Sequence, residues 1–146
     1  MSSGVIASDQ CTTAFNDLKL HRRSRFIIYR ISDDAKSIDI EHQVPPATSP
    51  STFTEEYSHF LSLLPKDDCR YAVFDLQYEK APGEGLRNKI IFVAWSPDTA
   101  KIKSKMLYAS SKDALRKKLE GIATEVQATD PEEISYSSVL EKVKLF

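Results

Sequence analysis

Cysteine is scarce in this chain of 146 residues, which contains two cysteines. Cys11 and Cys69 have no second cysteine at CxxC spacing and no histidine at the spacing of a metal-ligand motif. A domain of this length can bury a core of its own and does not depend on a single bridge. We therefore predict two reduced thiols in a cytosolic protein.

Long apolar runs are also missing. The longest, Ile90 to Trp95, is far shorter than the roughly 20 residues that a membrane-spanning helix requires. Residues 1–10 are polar, so neither a signal peptide nor a lipidation motif is expected there. Hydrophobic residues make up 41% of the chain and charged residues 28%, which is typical of one soluble domain, and we expect it to span 1–146.

The sequence lacks the residue constellations that carry catalysis. His21, His42 and His59 do not form a metal-ligand motif, and neither a nucleophile elbow nor a phosphate-binding loop is present. Gly83 and Gly85 form an isolated GxG fragment that turn geometry explains. The sequence predicts a protein that is not an enzyme and that carries no cofactor and no metal ion.

Charge is nearly balanced overall but uneven along the chain. The net charge of −1 disfavours a dedicated nucleic-acid binder. Basic residues nevertheless concentrate in two segments, and a near-neutral protein with one basic face indicates an acidic partner that is met in one orientation. The segments are Lys19, Arg22, Arg23 and Arg25, and then Lys101, Lys103, Lys105, Lys112, Arg116, Lys117 and Lys118.

Hydrophobic periodicity predicts the element order α-β-β-α-β-β-α-β-α. A flexible tail (1–7) precedes a helix (8–20), a hairpin (26–31 and 38–44), a proline-containing surface loop (45–51), a helix to Leu64, strands 71–78 and 88–95, a helix 96–120 that Gly121 ends, a strand (122–126) and a helix after Ser135. Hairpins that alternate with helices indicate an α/β (α+β) fold, with a central mixed sheet flanked on both faces by helices.

The predicted long helix has two apolar faces. Ile102, Met106 and Ala109 lie roughly 130–140° around the helix from a second apolar face. Both faces could meet one core only if the helix were kinked, and Ser110-Ser111 is a suitable place. The second face consists of Leu115, Leu119 and Ile122.

A basic stripe follows the same helix between these faces. A charged outer face is ordinary for an amphipathic helix, so the stripe by itself favours simple solvation. Acidic partners at i,i+4 are nearly absent, however, which favours a binding surface. The stripe consists of Lys101, Lys105, Lys112 and Arg116.

Several motifs resemble those of the cofilin (actin-depolymerising factor) family, and the fungal members most of all. The likeness covers nearly the whole chain in order. The motifs are Ser3-Gly4-Val5, TAFNDLKL at 13–20, WSPDTA at 95–100, SKMLYASSKDALR at 104–116, EISY at 133–136 and VLEK at 139–142.

The resemblance implies an ADF-homology fold with a long, kinked, actin-binding helix. It also implies a monomeric protein that binds actin monomers and filaments, prefers their ADP-bound form, and severs and depolymerises filaments. The cytoplasm, with its actin cytoskeleton and actin patches, is the implied location, and the nucleus is a second one.

Two actin-binding surfaces are implied by the same resemblance. The monomer surface comprises Ser3, Gly4, Val5, Lys103, Lys105, Met106, Lys112, Asp113 and Arg116. The filament surface comprises Arg87, Lys89, Glu141 and Lys142. Leu86 stands where a basic residue is common in the family, and the chain ends soon after Lys144.

Regulation is implied at two places. Ser3 occupies a position that is phosphorylated in many members, and a phosphate there would repel an acidic partner. Phosphoinositide head groups are expected to compete with actin at Lys105, Lys112 and Arg116.

Three alternatives remain open from the sequence. The first is a non-severing relative of the coactosin-like or glia-maturation-factor-like type. The second is a phosphoinositide-binding adaptor. The third is a thiol-dependent enzyme at Cys11 or Cys69, although neither cysteine has an activating base nearby in sequence.

Overall fold

The computed structural model describes residues 4–46, 53–79 and 83–144, apart from the side chains of Glu79 and Leu86. Within these ranges the order of elements is the predicted one, with one additional strand at the start. The elements are β1 (Ile6–Ala7), α1 (Asp9–Lys19), β2 (Phe26–Ile31), β3 (Ser37–Val44), α2 (Phe53–Ser62), β4 (Arg70–Glu79), β5 (Leu86–Trp95), α3 (Ile102–Arg116), β6 (Thr124–Ala128) and α4 (Tyr136–Lys144).

The described strands form one mixed sheet in the order β1-β3-β2-β4-β5-β6. The β2–β3 and β4–β5 pairs are antiparallel hairpins, and β2 also pairs with β4 in the antiparallel direction. The outer pairs β1–β3 and β5–β6 are parallel. A parallel pair needs a long crossover, which α3 supplies between β5 and β6.

Two hydrophobic clusters cover the two faces of this sheet. Helices α1 and α3 bury one cluster, which includes Phe15 and Leu115. Helices α2 and α4 bury the other, which includes Phe60 and Val139. Strand β5 contributes residues to both clusters, so the prediction of a sheet flanked on both faces, with this strand in its interior, is confirmed.

The N-terminal segment is more ordered than the predicted flexible tail. Residues 6–7 form β1 and pair with the first two residues of β3. Val5 and Ala7 are 3% and 2% exposed. A strand of two residues is too short to show an alternating pattern, so β1 could not be predicted from the sequence. Residues 1–3 and 47–52 lie outside the described residues, and with them all of the predicted proline loop (45–51) except Pro45 and Pro46.

Helix α3 is shorter at both ends than predicted. The backbone N–H of Ser96 donates to the carbonyl of Ala128, and that of Asp98 donates to Thr129. These bonds continue the pairing with β6, so the Ser-Pro-Asp sequence opens a turn and the helix begins at Ile102. The helix ends at Arg116, and Gly121, with φ +98°, lies in the turn that follows it.

The geometric reason for a kink in α3 is also removed. Ile102 and Met106 are 74% and 67% exposed, so their face meets solvent instead of the core. The buried residues of α3 are Tyr108, Ser111 and Leu115. One inward face is enough for this packing, so the two apolar faces no longer require a kink, and the kink stays a prediction from the family resemblance.

Candidate functional site

The N-terminal segment and α3 lie side by side. Strand β1 contacts α3, so the chain that follows Ser3 runs next to the helix that carries most of the predicted site residues. Gly4 is exposed and has φ +84°, a conformation that favours glycine. Val5 is buried, so its side chain anchors the segment and is not free to touch a partner. Ser3 itself is outside the described residues.

Helix α3 presents an apolar pair to solvent. Ile102 and Met106 are four residues apart and therefore lie on the same face of the helix. Clustered exposed apolar side chains are typical of interaction sites. The angular projection places Ile102 and Met106 together on a face towards the core, and only Met106 is a predicted site residue, from the family resemblance. The position of Ile102 between Lys101 and Lys103, four residues before Met106, was the signal that could have identified it.

The basic residues around this pair differ in their freedom. Lys101 and Lys103 are exposed. The Nζ of Lys105 lies 2.8 Å from the carbonyl oxygen of Asp98 and thus ties the helix to the preceding turn. The basic side chains of the predicted stripe therefore differ in how far hydrogen bonds within the protein restrain them.

At the other end of α3, Glu125 on β6 forms ion pairs with two basic side chains of the helix. Its carboxylate lies 3.3 Å from Lys112 Nζ and 3.1 Å from Arg116 Nε. The Arg116 guanidinium also lies over the ring of Phe92, at 5.5 Å from its centre. Asp113 is exposed on the same helix. Asp113 is the one acidic residue of α3, and the acidic partner of Lys112 and Arg116 comes instead from the adjacent strand.

Two tyrosines fix α3 on the sheet. The hydroxyl oxygen of Tyr108 accepts the backbone N–H of Ile31 at 3.0 Å. The hydroxyl of Tyr71 donates to the carbonyl of Tyr108. Burial raises the pKa of the Tyr71 phenol, so it keeps its proton and remains a donor. The site residues of α3 are therefore presented by a rigid element.

The predicted filament surface lies where β5 meets α4. The Nζ of Lys89 donates to the carbonyl of Val143 at 3.1 Å and lies over the ring of Tyr78. A cation at the C-terminal end of a helix is favourable because of the helix dipole. The structure thus joins the strand that carries Arg87 and Lys89 to the helix whose exposed residues include Glu141 and Lys142.

Neither cysteine has the surroundings of a nucleophile. Cys11 and Cys69 are free and buried. Burial raises the pKa of both thiols and so disfavours the reactive thiolate. The closest polar partners of the two sulfurs include hydroxyls, at Ser8 and Ser96, neither of which is an activating base.

The described part of the chain has neither a metal-binding group nor a membrane-spanning helix. None of its His, Cys, Asp and Glu side chains form a group of three or more that could hold a metal ion. No helix within the described ranges has the length and apolarity to cross a bilayer.

Comparison with known proteins gives a consistent result. Residues 4–144 match the model of a family described as cofilin/tropomyosin-type actin-binding protein. The cofilin of Ogataea parapolymorpha is 51% identical over 142 residues, which cover 97% of this chain and 93% of the relative. The cofilin of Saccharomyces cerevisiae is 50% identical with the same coverage of both chains.

Some solved structures share both fold and sequence with this chain, whereas others share the fold alone. The crystal structure of Streptomyces griseoflavus cofilin superposes with a TM-score of 0.83 at 43% identity and covers 96% of this chain and 97% of its own. Human coactosin-like protein shares the fold, with a TM-score of 0.76, but is only 14% identical and covers 99% and 92% of the two chains. The family match, the identity of about half and the shared fold agree, and this chain belongs to the cofilin family of actin-binding proteins.

Proposed function

We propose that this protein binds actin monomers and filaments, depolymerises and severs the filaments, and in this way controls actin turnover. The observation that carries the proposal is the exposed pair Ile102 and Met106 on α3. Cations surround this pair, and two buried tyrosines hold the helix that presents it. About 50% identity to proteins named cofilin supports the assignment to this activity.

The chemistry of α3 suits a groove in an acidic partner. Apolar side chains in the centre of an interface supply most of the binding energy, and methionine adapts to irregular surfaces. The surrounding lysines provide charge complementarity, which guides association and orientation. No covalent step is needed, so the protein acts by binding and not as an enzyme.

Severing follows from the use of two surfaces at once. We infer that the monomer surface on α3 and the filament surface on β5 and α4 contact neighbouring actin subunits. If this pair of contacts fits an altered filament geometry better, binding shifts the filament towards that geometry and weakens it. Preference for ADP-bound actin, action as a monomer, and location in the cytoplasm, the actin cytoskeleton and the nucleus belong to the same proposal.

The test is co-sedimentation with actin filaments together with a monomer-binding assay. The double variant Ile102→Ser/Met106→Ser should lose most of its affinity in both assays, because it removes the apolar centre of the surface. Leu20→Ser is the matched control, since Leu20 is 63% exposed but lies at the end of α1. Equal losses in both variants, or full binding by the double variant, would contradict the proposal.

Phosphoinositide binding is a second candidate function. Lys105, Lys112 and Arg116 place three cations along α3, and anionic head groups are attracted to such clusters. We expect vesicles that contain phosphoinositides to inhibit actin binding by the parent protein. The Lys105→Ala/Lys112→Ala/Arg116→Ala variant should bind these vesicles less well, and unchanged vesicle binding would point to another lipid surface.

Phosphorylation of Ser3 is proposed as the regulatory modification. The Ser3→Glu variant should bind actin monomers less tightly, because a negative charge next to an acidic partner is repelled. Ser3→Ala should retain binding. Equal affinity of the two variants would exclude this form of control.

A further inference from the structure

Lys118 connects the turn that follows α3 to the start of the chain. Its Nζ lies 3.0 Å from the carbonyl oxygen of Ala7 and 3.5 Å from a carboxylate oxygen of Asp9. Asp9 is fully exposed, so the ion pair contributes little stability. The hydrogen bond to the carbonyl of Ala7 is the more important contact, because Ala7 is buried.

The position of this carbonyl in β1 explains why it benefits from a donor. The N–H groups of Ile6 and Ser8 donate to the carbonyls of Lys36 and Ile38. Backbone groups of successive residues in a strand point to opposite sides, so the carbonyl of Ala7 faces away from β3. A buried carbonyl without a partner is costly, and Lys118 supplies the hydrogen bond.

A second lysine holds the same turn. The Nζ of Lys19, in the last turn of α1, donates to the carbonyl of Glu120 at 2.9 Å. The turn that contains Lys118 and Glu120 is therefore tied to both ends of α1. Strand β1 has only two residues, so the contact from Lys118 adds to its pairing with β3 and to the burial of Val5 and Ala7 in keeping the N-terminal segment next to α3.

We propose that Lys118 is a positioning residue for actin binding. It fixes β1 beside α3, and so sets where Gly4 and Val5 lie relative to this helix. A segment that is already ordered loses less entropy on binding. The proposal rests on the proposed function, because it assigns Lys118 a role in presenting the monomer surface without contact to actin.

The test compares Lys118→Met with Lys117→Met and Lys118→Arg. Lys117→Met removes the same charge from the adjacent position, and within the described residues the Lys117 side chain makes no hydrogen bond or ion pair. Thermal unfolding establishes that each variant is folded. Amide hydrogen exchange at Ile6 and Ser8 reports on β1, and a monomer-binding assay reports on function.

Lys118→Met should increase exchange at Ile6 and Ser8 by about fivefold, the effect of losing one hydrogen bond. Its affinity for actin monomers should fall by about three- to fivefold. Lys117→Met should change neither exchange nor affinity. Lys118→Arg should keep both at the values of the parent protein.

Each other result overturns a specific part of the proposal. Unchanged exchange in Lys118→Met excludes the positioning contact. Faster exchange with unchanged affinity excludes its role in binding, and an equal loss of affinity in Lys117→Met reduces the effect to net charge. If the parent protein does not bind actin, the proposed function fails, whereas the exchange data still test the contact.

Discussion

The Nε of Arg116 lies 3.1 Å from Oε1 of Glu125, which joins the last turn of α3 to strand β6. The other carboxylate oxygen of Glu125 lies 3.3 Å from Lys112. One acidic residue therefore holds two of the three cations that we assign to phosphoinositide binding. A ligand that uses these cations competes with Glu125.

Replacing this carboxylate should strengthen lipid binding. In Glu125→Gln the two cations no longer have an acidic partner on β6, so we expect about two- to fivefold tighter binding to phosphoinositide vesicles at low salt, with a smaller gain at high salt. Vesicle co-sedimentation measures the effect. Glu120→Gln removes the same charge from the turn after α3 and serves as control; an equal gain in this variant would show that only net charge matters.

The hydroxyl group of Tyr29 is expected to lower the free energy of unfolding of the parent protein. It is buried and has no hydrogen-bond partner among the described residues. Tyr29→Phe removes this unsatisfied group and is expected to raise the free energy of unfolding by about 1 kcal/mol. Urea denaturation measures the change.

Tyr108→Phe is the opposite case and the natural comparison for Tyr29→Phe. It deletes the oxygen that accepts the N–H of Ile31 and leaves that donor buried without its partner. The free energy of unfolding should fall by about 1–3 kcal/mol. The two substitutions change the same atoms, so a shift of the same sign in both would contradict this assignment of partners.

Stability should decline in alkaline solution. Burial raises the pKa of Tyr29, Tyr57 and Tyr71 above the ordinary value of 10.0. Below about pH 10 these phenols are protonated in both the folded and the unfolded chain, and stability is unaffected by them. Above that pH the unfolded chain releases the protons and the folded chain retains them, so the free energy of unfolding decreases as the pH rises.

Each such tyrosine contributes a slope of up to about 1.4 kcal/mol per pH unit. Urea denaturation between pH 8 and pH 11, with a reductant present, measures the total slope. Tyr29→Phe should reduce that slope by one such contribution. A flat profile up to pH 11 would show that these phenols ionise in the folded protein as readily as in the unfolded chain.

Lys89 and Arg87 should differ in how much they contribute to the free energy of unfolding. Lys89→Met removes the cation that donates to the end of α4, so the free energy of unfolding should fall by about 0.5–1 kcal/mol. Among the described residues, Arg87→Met removes one ion pair, a contact of 3.8 Å between the half-exposed side chains of Arg87 and Glu84, and it should leave the free energy of unfolding within about 0.5 kcal/mol. Filament co-sedimentation should show weaker binding for both variants.

Measuring both unfolding and filament binding distinguishes a residue that stabilises the fold from one that contacts the filament directly. Weaker binding by Arg87→Met at unchanged stability indicates a direct contact with the filament. Full binding by Arg87→Met would remove this residue from the filament surface. Unchanged stability of Lys89→Met would show that its bond to Val143 is not needed to hold α4.

Elements with strong periodic patterns could be predicted from the sequence. Helix α1 has apolar residues at helical spacing, and the β2–β3 hairpin and strands β4 and β5 have alternating or continuous apolar residues. The site residues came from motifs shared with a known family and not from pattern alone. Their grouping on α3, and on β5 with α4, is consistent with the fold.

Other features depend on contacts between distant segments. Ser96-Pro97-Asp98 has the composition of a helix start, but the N–H groups of Ser96 and Asp98 extend the pairing with the chain of β6, so the helix begins at Ile102. The angular projection of α3 could not show which face meets the sheet, so Ile102 was placed in the core. Glu125 and Lys118 act on residues of other elements, and no local pattern marks them.

The most direct test follows single labelled actin filaments by fluorescence microscopy after the purified protein is added. We expect more breaks and faster shortening with the parent protein, both of which are lost in Ile102→Ser/Met106→Ser and kept in Leu20→Ser. Filaments that bind the protein but keep their length and number would contradict severing and depolymerisation. That result would favour a non-severing role of the coactosin-like type.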